Sequence, residues 1–118
     1  MPKLFQRSLT THLFSALLKG QVAVVTGGAG GIGKYIAQRF AQEGCNVVIA
    51  DINASEGQKA ARELSKMTKN ASVKFIKTDC GVESDIKGCM DKTYKEFGKI
   101  NVLVNNAARF IFGSVYGG

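Results

Sequence analysis

The densest chemical signal in the chain is Thr26-Gly27-Gly28-Ala29-Gly30-Gly31-Ile32-Gly33. A bound pyrophosphate needs backbone N–H groups aimed at it with no side chains between. Glycine permits the tight turn and the close approach that this requires. A helix that starts inside the run adds its free N–H groups and the positive end of its dipole. The expected chemistry is anion cradling, with Gly27, Gly31, Ile32 and Gly33 as the contact residues. The second signal is an acid, Asp51, placed about 20 residues past the glycines, where a ribose-binding carboxylate belongs in a nucleotide-binding βαβ unit. A carboxylate there accepts hydrogen bonds from both ribose hydroxyls and repels a 2′-phosphate. No Lys or Arg lies in the loop before Lys34, and none closely follows Asp51.

Such a loop means little unless a strand delivers it and a helix leaves it. Val22-Ala23-Val24-Val25-Thr26 is a short continuous apolar run, the pattern of a strand buried on both faces. After Gly33 a helix is expected to about Glu43, with Ile32, Tyr35, Ile36 and Phe40 on one face. Gly44 stops it. A second strand follows at Asn46–Ala50 and ends at Asp51. Asn53 and Glu56 stand at capping-box spacing for a second helix. That helix is expected to run to about Met67, with Ala60, Ala61, Leu64 and Met67 inward and Asn70 as its stop. Val73–Thr78 reads as strand three. Ser84 is the expected cap of a third helix, with Ile86, Met90 and Phe97 inward and Gly98 as its stop. Asn101–Asn105 is strand four. The remainder, Asn106–Gly118, is too short for another strand–helix unit.

Strands alternating with helices give an α/β chain: a Rossmann-type, doubly wound parallel sheet. The expected strand order is 3-2-1-4, with helices on both faces and the sheet cut after strand four. In that setting the loop and Asp51 predict a nicotinamide dinucleotide as ligand, NAD in preference to NADP.

The loop resembles the TGxxxGIG form used by the short-chain dehydrogenase/reductase family, through Thr26, Gly27, Gly31, Ile32 and Gly33. Two further matches support the resemblance. Asp79 stands after strand three, where the family places an acid that bonds the adenine amino group, with the backbone of Cys80 beside it. Asn105-Asn106-Ala107-Ala108 looks like the family's NNAG motif, with Ala108 in place of the last Gly. That motif braces the sheet through its first Asn and lines the cofactor cleft with the residues after it. The resemblance covers about Leu18 to Val115. It implies Asp51, Ile52, Asp79, Cys80, Asn106 and Ala107 as further cofactor-binding residues. It also implies hydride transfer between a nicotinamide cofactor and an alcohol or carbonyl.

The family's catalytic residues do not carry over. They are a Tyr with a Lys four residues later on one helix, a Ser on strand five and an Asn on the fourth crossover helix. Here Tyr35 is followed at that spacing by Arg39, and Tyr94 by Gly98. Tyr116 has no residue there, and Ser114 precedes the place where strand five would begin. No catalytic residue is named. The expectation is the NAD-binding portion of such an enzyme, inactive alone. The rival is a non-catalytic NAD-binding or dimer-forming product acting through a full-length relative, with the bare edge of strand four as the contact.

The bulk numbers bound these readings. The 118 residues make room for one domain. The expected layout is residues 1–18 as a basic leader or lead-in and residues 19–118 as a partial dinucleotide-binding domain. The net charge of +7 is skewed, because Lys3, Arg7, Lys19, Lys34 and Arg39 all precede the first acid, Glu43. Acid-poor, Arg- and Ser-containing starts suit a transit peptide, and Leu9, Leu13 and Leu17 fall at helical spacing. Mitochondrial targeting is one expectation, a cytoplasmic location the other. The basic helix lysines lack interleaved aromatics, which argues against a nucleic-acid patch. No window holds about 18 consecutive apolar residues, so no membrane-spanning helix is expected. The three cysteines, Cys45, Cys80 and Cys89, show no CxxC spacing. They read as free thiols, and neither a disulfide framework nor a metal site is expected. His12, the single histidine, has no nearby acid to orient it.

Overall fold

The computed structural model describes residues 17–69 and 71–107. Several readings fall outside those residues: the leader before Leu17, His12, the Asn70 stop, Ala108, Ser114 and Tyr116. The elements are β1 (Val22–Thr26), α1 (Gly31–Gln42), β2 (Asn46–Asp51), α2 (Ala54–Met67), β3 (Val73–Lys77), α3 (Glu83–Phe97) and β4 (Val102–Asn105). All strand pairs are parallel, in the order β3-β2-β1-β4. This is the expected doubly wound α/β arrangement.

Burial follows position in the sheet. Every residue of β1 is buried, as are the four middle residues of β2. The flanking strands β3 and β4 have mixed burial. Successive side chains of a strand point to opposite faces, so the sheet feeds two cores. Val25, Val47, Ile49 and Val73 meet Ala37 and Ala41 of α1 and Ala60, Ala61 and Leu64 of α2. On the other face Val24, Val48 and Ala50 meet Cys89, Met90 and Phe97 of α3. Leu64 is almost wholly buried, and truncating such a side chain costs about 2–5 kcal/mol.

Asparagines pin where the strands begin. The Val22 N–H donates to Asn101 Oδ1 at 2.9 Å, and the Asn101 N–H returns to the Val22 carbonyl at 2.8 Å. Asn46 Oδ1 likewise accepts from the Ser72 N–H at 2.9 Å. These contacts fix the parallel register, which in turn fixes what lies at the opposite end of each strand.

Three expectations need correction. The buried stripe of α1 is Gly33, Ala37 and Ala41, whereas Ile32 is 74% and Tyr35 62% exposed. Ile36 and Phe40 pack only at the margin of the core. The small residues let the helix backbone lie close to the sheet, which turns the bulkier side of the apolar arc outward. Met67, at the last turn of α2, is also exposed. Ser84 does not cap α3, because that helix starts at Glu83 with Val82 as N-cap. Its interior face is Cys89 and Thr93, with Ile86 half-exposed. The Asn53 cap is as expected, its Oδ1 accepting from the Glu56 N–H at 3.0 Å. Gly98 closes α3 in the left-handed conformation at φ 77°.

Gly33 is hemmed in by backbone as well as by a side chain. A Cβ there would lie 2.1 Å from the Gly27 carbonyl oxygen and 2.6 Å from Asn106 Nδ2. The first of these is backbone and cannot swing away. Gly33→Ala is therefore expected to lower the unfolding free energy by about 3 kcal/mol, the upper end of ordinary overpacking. Urea titration of both chains measures this. An unchanged midpoint would show that the loop yields without cost.

Candidate functional site

In a doubly wound sheet the ligand crevice opens at the carboxyl ends of the strands, where the strand order reverses. Here the reversal lies between β1 and β4. A cleft of about 350 Å³ opens at that end of the sheet, lined by Gly27, Asp51, Ile52, Asp79, Cys80 and Ala107, all named from the sequence. Thr78 and Gly81 also line it, and sequence reasoning missed both. Their signal was adjacency alone, since they flank Asp79 and Cys80.

The glycine loop joins β1 to α1 beside this cleft. Gly27 and Gly31 adopt φ values of 67° and 56°, a region that side chains disfavour. Gly30 is the N-cap of α1 in extended geometry, and no side chain caps the helix. No acid lies in its first turn. The leading N–H groups of α1 and the positive end of its dipole are thus left for an external anion. A Cβ at Gly30 or Gly31 would meet nothing within 4 Å, so the loop keeps open space on that side. Gly33 is buried and serves the packing of α1 on the β1 end. Ile32 is exposed on the same first turn.

Asp51 ties three segments together. Its Oδ2 accepts from the Ala29 N–H of the glycine loop at 3.1 Å. Its Oδ1 accepts from the Asn53 N–H at 3.0 Å. Its backbone carbonyl accepts from the Thr78 N–H at 2.9 Å. The capping box therefore closes differently from expectation: Asp51, and not Glu56, takes the Asn53 N–H. A carboxylate offers about four lone-pair positions, so acceptor capacity remains for ribose hydroxyls. Lys77 pairs with Asp51 in the strand register. Among the described residues it forms no ion pair with that acid, and it does not line the cleft. Lys34, the first cation after the loop, is engaged by Glu63 of α2 at 2.5 Å, which holds the Glu63 carboxyl below its ordinary range.

The turn after β3 builds the opposite wall. Asp79 Oδ1 accepts from the Gly81 N–H at 2.9 Å, and the Asp79 carbonyl accepts from the Val82 N–H at 2.9 Å. The Asp79 N–H is held by Asp85 Oδ2 of α3 at 3.0 Å. Burial, with the thiol of Cys89 and the surrounding carboxylates, raises the Cys80 thiol pKa. Cys80 therefore faces the cleft as a neutral, weakly polar surface. Ile52, half exposed, offers an apolar one.

The β4 end is bound to the loop through Thr26. Its buried hydroxyl accepts the N–H groups of Asn106 at 2.9 Å and Ala107 at 3.1 Å. Its proton is within reach of the Val104 carbonyl at 3.2 Å and Asn105 Oδ1 at 3.3 Å. Asn106 Nδ2 donates to the Gly27 carbonyl at 3.3 Å. Asn106 thus orients the loop, and Ala107 lines the cleft beside it.

These residues fit a dinucleotide. An uncapped helix start suits a pyrophosphate, a fixed carboxylate suits a ribose, and a cleft with apolar and polar walls suits a base. Among the described residues no group of His, Cys, Asp and Glu is placed to hold a metal ion. No helix among them is long and apolar enough to cross a membrane.

Comparison with known proteins agrees with the geometry. The family model described as short chain dehydrogenase matches residues 21–115. An uncharacterized oxidoreductase of Thermotoga maritima is 44% identical over 100 residues, which cover 85% of this chain and 38% of that protein. A 3beta-hydroxysteroid dehydrogenase 2 of Eggerthella lenta is 38% identical over 91 residues, covering 77% of this chain and 34% of that one. Among solved structures, an NAD+-bound xylitol dehydrogenase superposes with a TM-score of 0.73 at 33% identity, over 78% of this chain and 35% of that one. The chain spans little more than a third of the length of these relatives. By its matched sequence, its strand order and its loop, it belongs to the short-chain dehydrogenase family.

Proposed function

We propose that the chain is the NAD-binding portion of an oxidoreductase that moves a hydride between a nicotinamide cofactor and an alcohol or carbonyl. The observation that carries the reading is Asp51. It is a carboxylate on the cleft wall, held at both oxygens, beside a helix start that no side chain caps. Bound there, the dinucleotide would supply the hydride-carrying ring. The chain's own residues bind and orient it. The N–H groups of Gly31, Ile32 and Gly33 face the pyrophosphate. Asp51 takes the adenosine ribose hydroxyls and discriminates against a 2′-phosphate. Asp79 accepts from the adenine amino group, with the backbone of Cys80 and the side chain of Ile52 against the ring. Ala107 lines the cleft, and Asn106, bonded to the Gly27 carbonyl, orients the loop against the cofactor. Residues 19–118 form this binding unit, and the substrate would be chosen by residues that the relatives carry beyond it.

A second reading is favoured by β4. Among the described residues it pairs with β1 alone, and Leu103 is 55% exposed. A parallel edge left unpaired among the described residues invites another strand, which supports a role in which the chain docks on a full-length relative. A third proposal concerns location. The acid-free stretch before Lys19 supports mitochondrial import. Fusing residues 1–19 to a fluorescent protein is expected to give mitochondrial fluorescence, and diffuse signal would exclude it.

Two measurements test the central reading. Asp51→Ala should narrow the preference for NAD over NADP by about 1–3 kcal/mol, the worth of lost charge-assisted hydrogen bonds. Titration calorimetry with both dinucleotides reads this, and equal binding of the two by the unaltered chain would exclude Asp51 as the ribose reader. The 118-residue chain alone is expected to give no turnover with secondary alcohols, steroids or hydroxy acids. No Tyr in it has a Lys four residues later, and positioned acid–base catalysis typically supplies about 10²–10⁴-fold. Following NADH absorbance checks this. Turnover lost on changing Ser114 or Tyr116 would place catalytic groups in the chain itself.

A further inference from the structure

We infer that Asp85 is a positioning residue for base recognition: it holds the turn through which Asp79 reads the adenine ring. The inference rests on the reading of Asp79 given above. Asp85 lies in the first turn of α3, is exposed, and does not line the cleft. Its carboxylate nonetheless reaches back six residues to accept the Asp79 N–H at 3.0 Å.

The turn between β3 and α3 is short, and each polar group of Asp79 but one has a partner in it or in the first turn of α3. The carbonyl takes the Val82 N–H at 2.9 Å, Oδ1 takes the Gly81 N–H at 2.9 Å, and the N–H goes to Asp85. Oδ2 has no partner among the described residues. An acceptor with one oxygen committed and one uncommitted is suited to a directional contact with an amino group. Its direction depends on the backbone that carries it.

The Val82 and Gly81 contacts are local to the turn and would travel with it. The Asp85 contact is different, because it is made from a helix. Through Cys89, Met90 and Phe97 that helix is packed against the sheet. Asp85 therefore references the turn to the core. The helix itself gains little from the bond. Asp85 Oδ2 caps none of the α3 N–H groups, and Val82 offers no side-chain cap. The carboxylate is spent on the turn.

The test is a ratio of affinities. NAD and its hypoxanthine analogue differ at the base, where the analogue carries a carbonyl in place of the amino group. A carboxylate acceptor at that point favours NAD. Both dinucleotides are titrated against the full chain and against Asp85→Ala and Asp85→Asn. A fraction of unfolded protein lowers both affinities alike and cancels in the ratio. The unaltered chain is expected to prefer NAD by about tenfold, the scale of one charge-assisted hydrogen bond. Asp85→Ala is expected to bring that preference below about threefold. Asp85→Asn keeps an acceptor oxygen without the charge and is expected to hold the preference near the original value. That separates positioning from a field effect on the anionic ligand. A preference that survives Asp85→Ala intact overturns the inference while leaving the role of Asp79 standing. A preference lost equally in both variants also overturns it, since charge and not geometry would then be responsible. Equal binding of both dinucleotides by the unaltered chain overturns the reading of Asp79 itself, and this inference with it.

Discussion

The arrangement turns on one buried hydroxyl. Thr26 ends β1, one of the two inner strands, and its Oγ1 accepts two backbone N–H groups from the segment leaving β4. A hydroxyl has two acceptor positions and one proton, and here all three are used. Burial makes that saturation matter, because an unpaired N–H away from water costs about 1–3 kcal/mol. The strand that launches the glycine loop is thereby locked to the strand that floors the cleft. Asn106, set by the first of those bonds, then reaches the Gly27 carbonyl. Serine at this position would supply the same bonds with less packing, and valine would strand two donors.

Parallel topology explains why so few contacts suffice. Every strand points the same way, so every loop after a strand emerges on one side of the sheet. The glycine loop, the Asp51 turn, the Asp79 turn and the Asn106 segment are carried to a common rim without any long excursion. Asp51 then links its neighbours on either side: the loop through Ala29 and the β3 end through Thr78. Hydrogen bonds among the four segments make the rim a connected object before any ligand arrives. A preorganised site of this kind spends less of its binding energy on ordering.

Much of this was legible in the residues. Unbroken apolar runs at Val22–Thr26 and Asn46–Ala50 marked the inner strands, and a glycine run with a following acid pointed to the rim where the cleft opens. What escaped has physical reasons. Periodicity put Ile32 and Tyr35 on the α1 core face, yet the close approach forced at Gly33 selected the neighbouring Gly–Ala–Ala stripe. A hydrophobic arc predicts which side faces inward only when the helix stands at ordinary distance. Ser84 has the composition of a cap, but α3 begins one residue before it, at Glu83, with Val82 as N-cap. Asp85 was invisible because its partner is a main-chain N–H, and no residue type signals such an acceptor at six residues' separation. Thr26 stands inside the glycine motif, while the bonds of its hydroxyl depend on β4 and the residues after it, far along the chain.

The two ties that close the unit both span its whole length. Val22 meets Asn101 and Thr26 meets Ala107, at separations of 79 and 81 residues. The glycine loop, Asp51 and Asp79, proposed to hold the adenosine half of a dinucleotide, all lie between these bonds. The segment is in that sense a cassette with matched fasteners at its two ends. Shuffling between homologous genes would leave it working if the crossover fell outside the fasteners. A junction between β3 and Asn101 would instead mate a foreign β4 to this β1, and the hydroxyl and amide geometry at both ends would have to match by descent. The boundary of this βαβ unit is therefore drawn by hydrogen bonds and not by a linker.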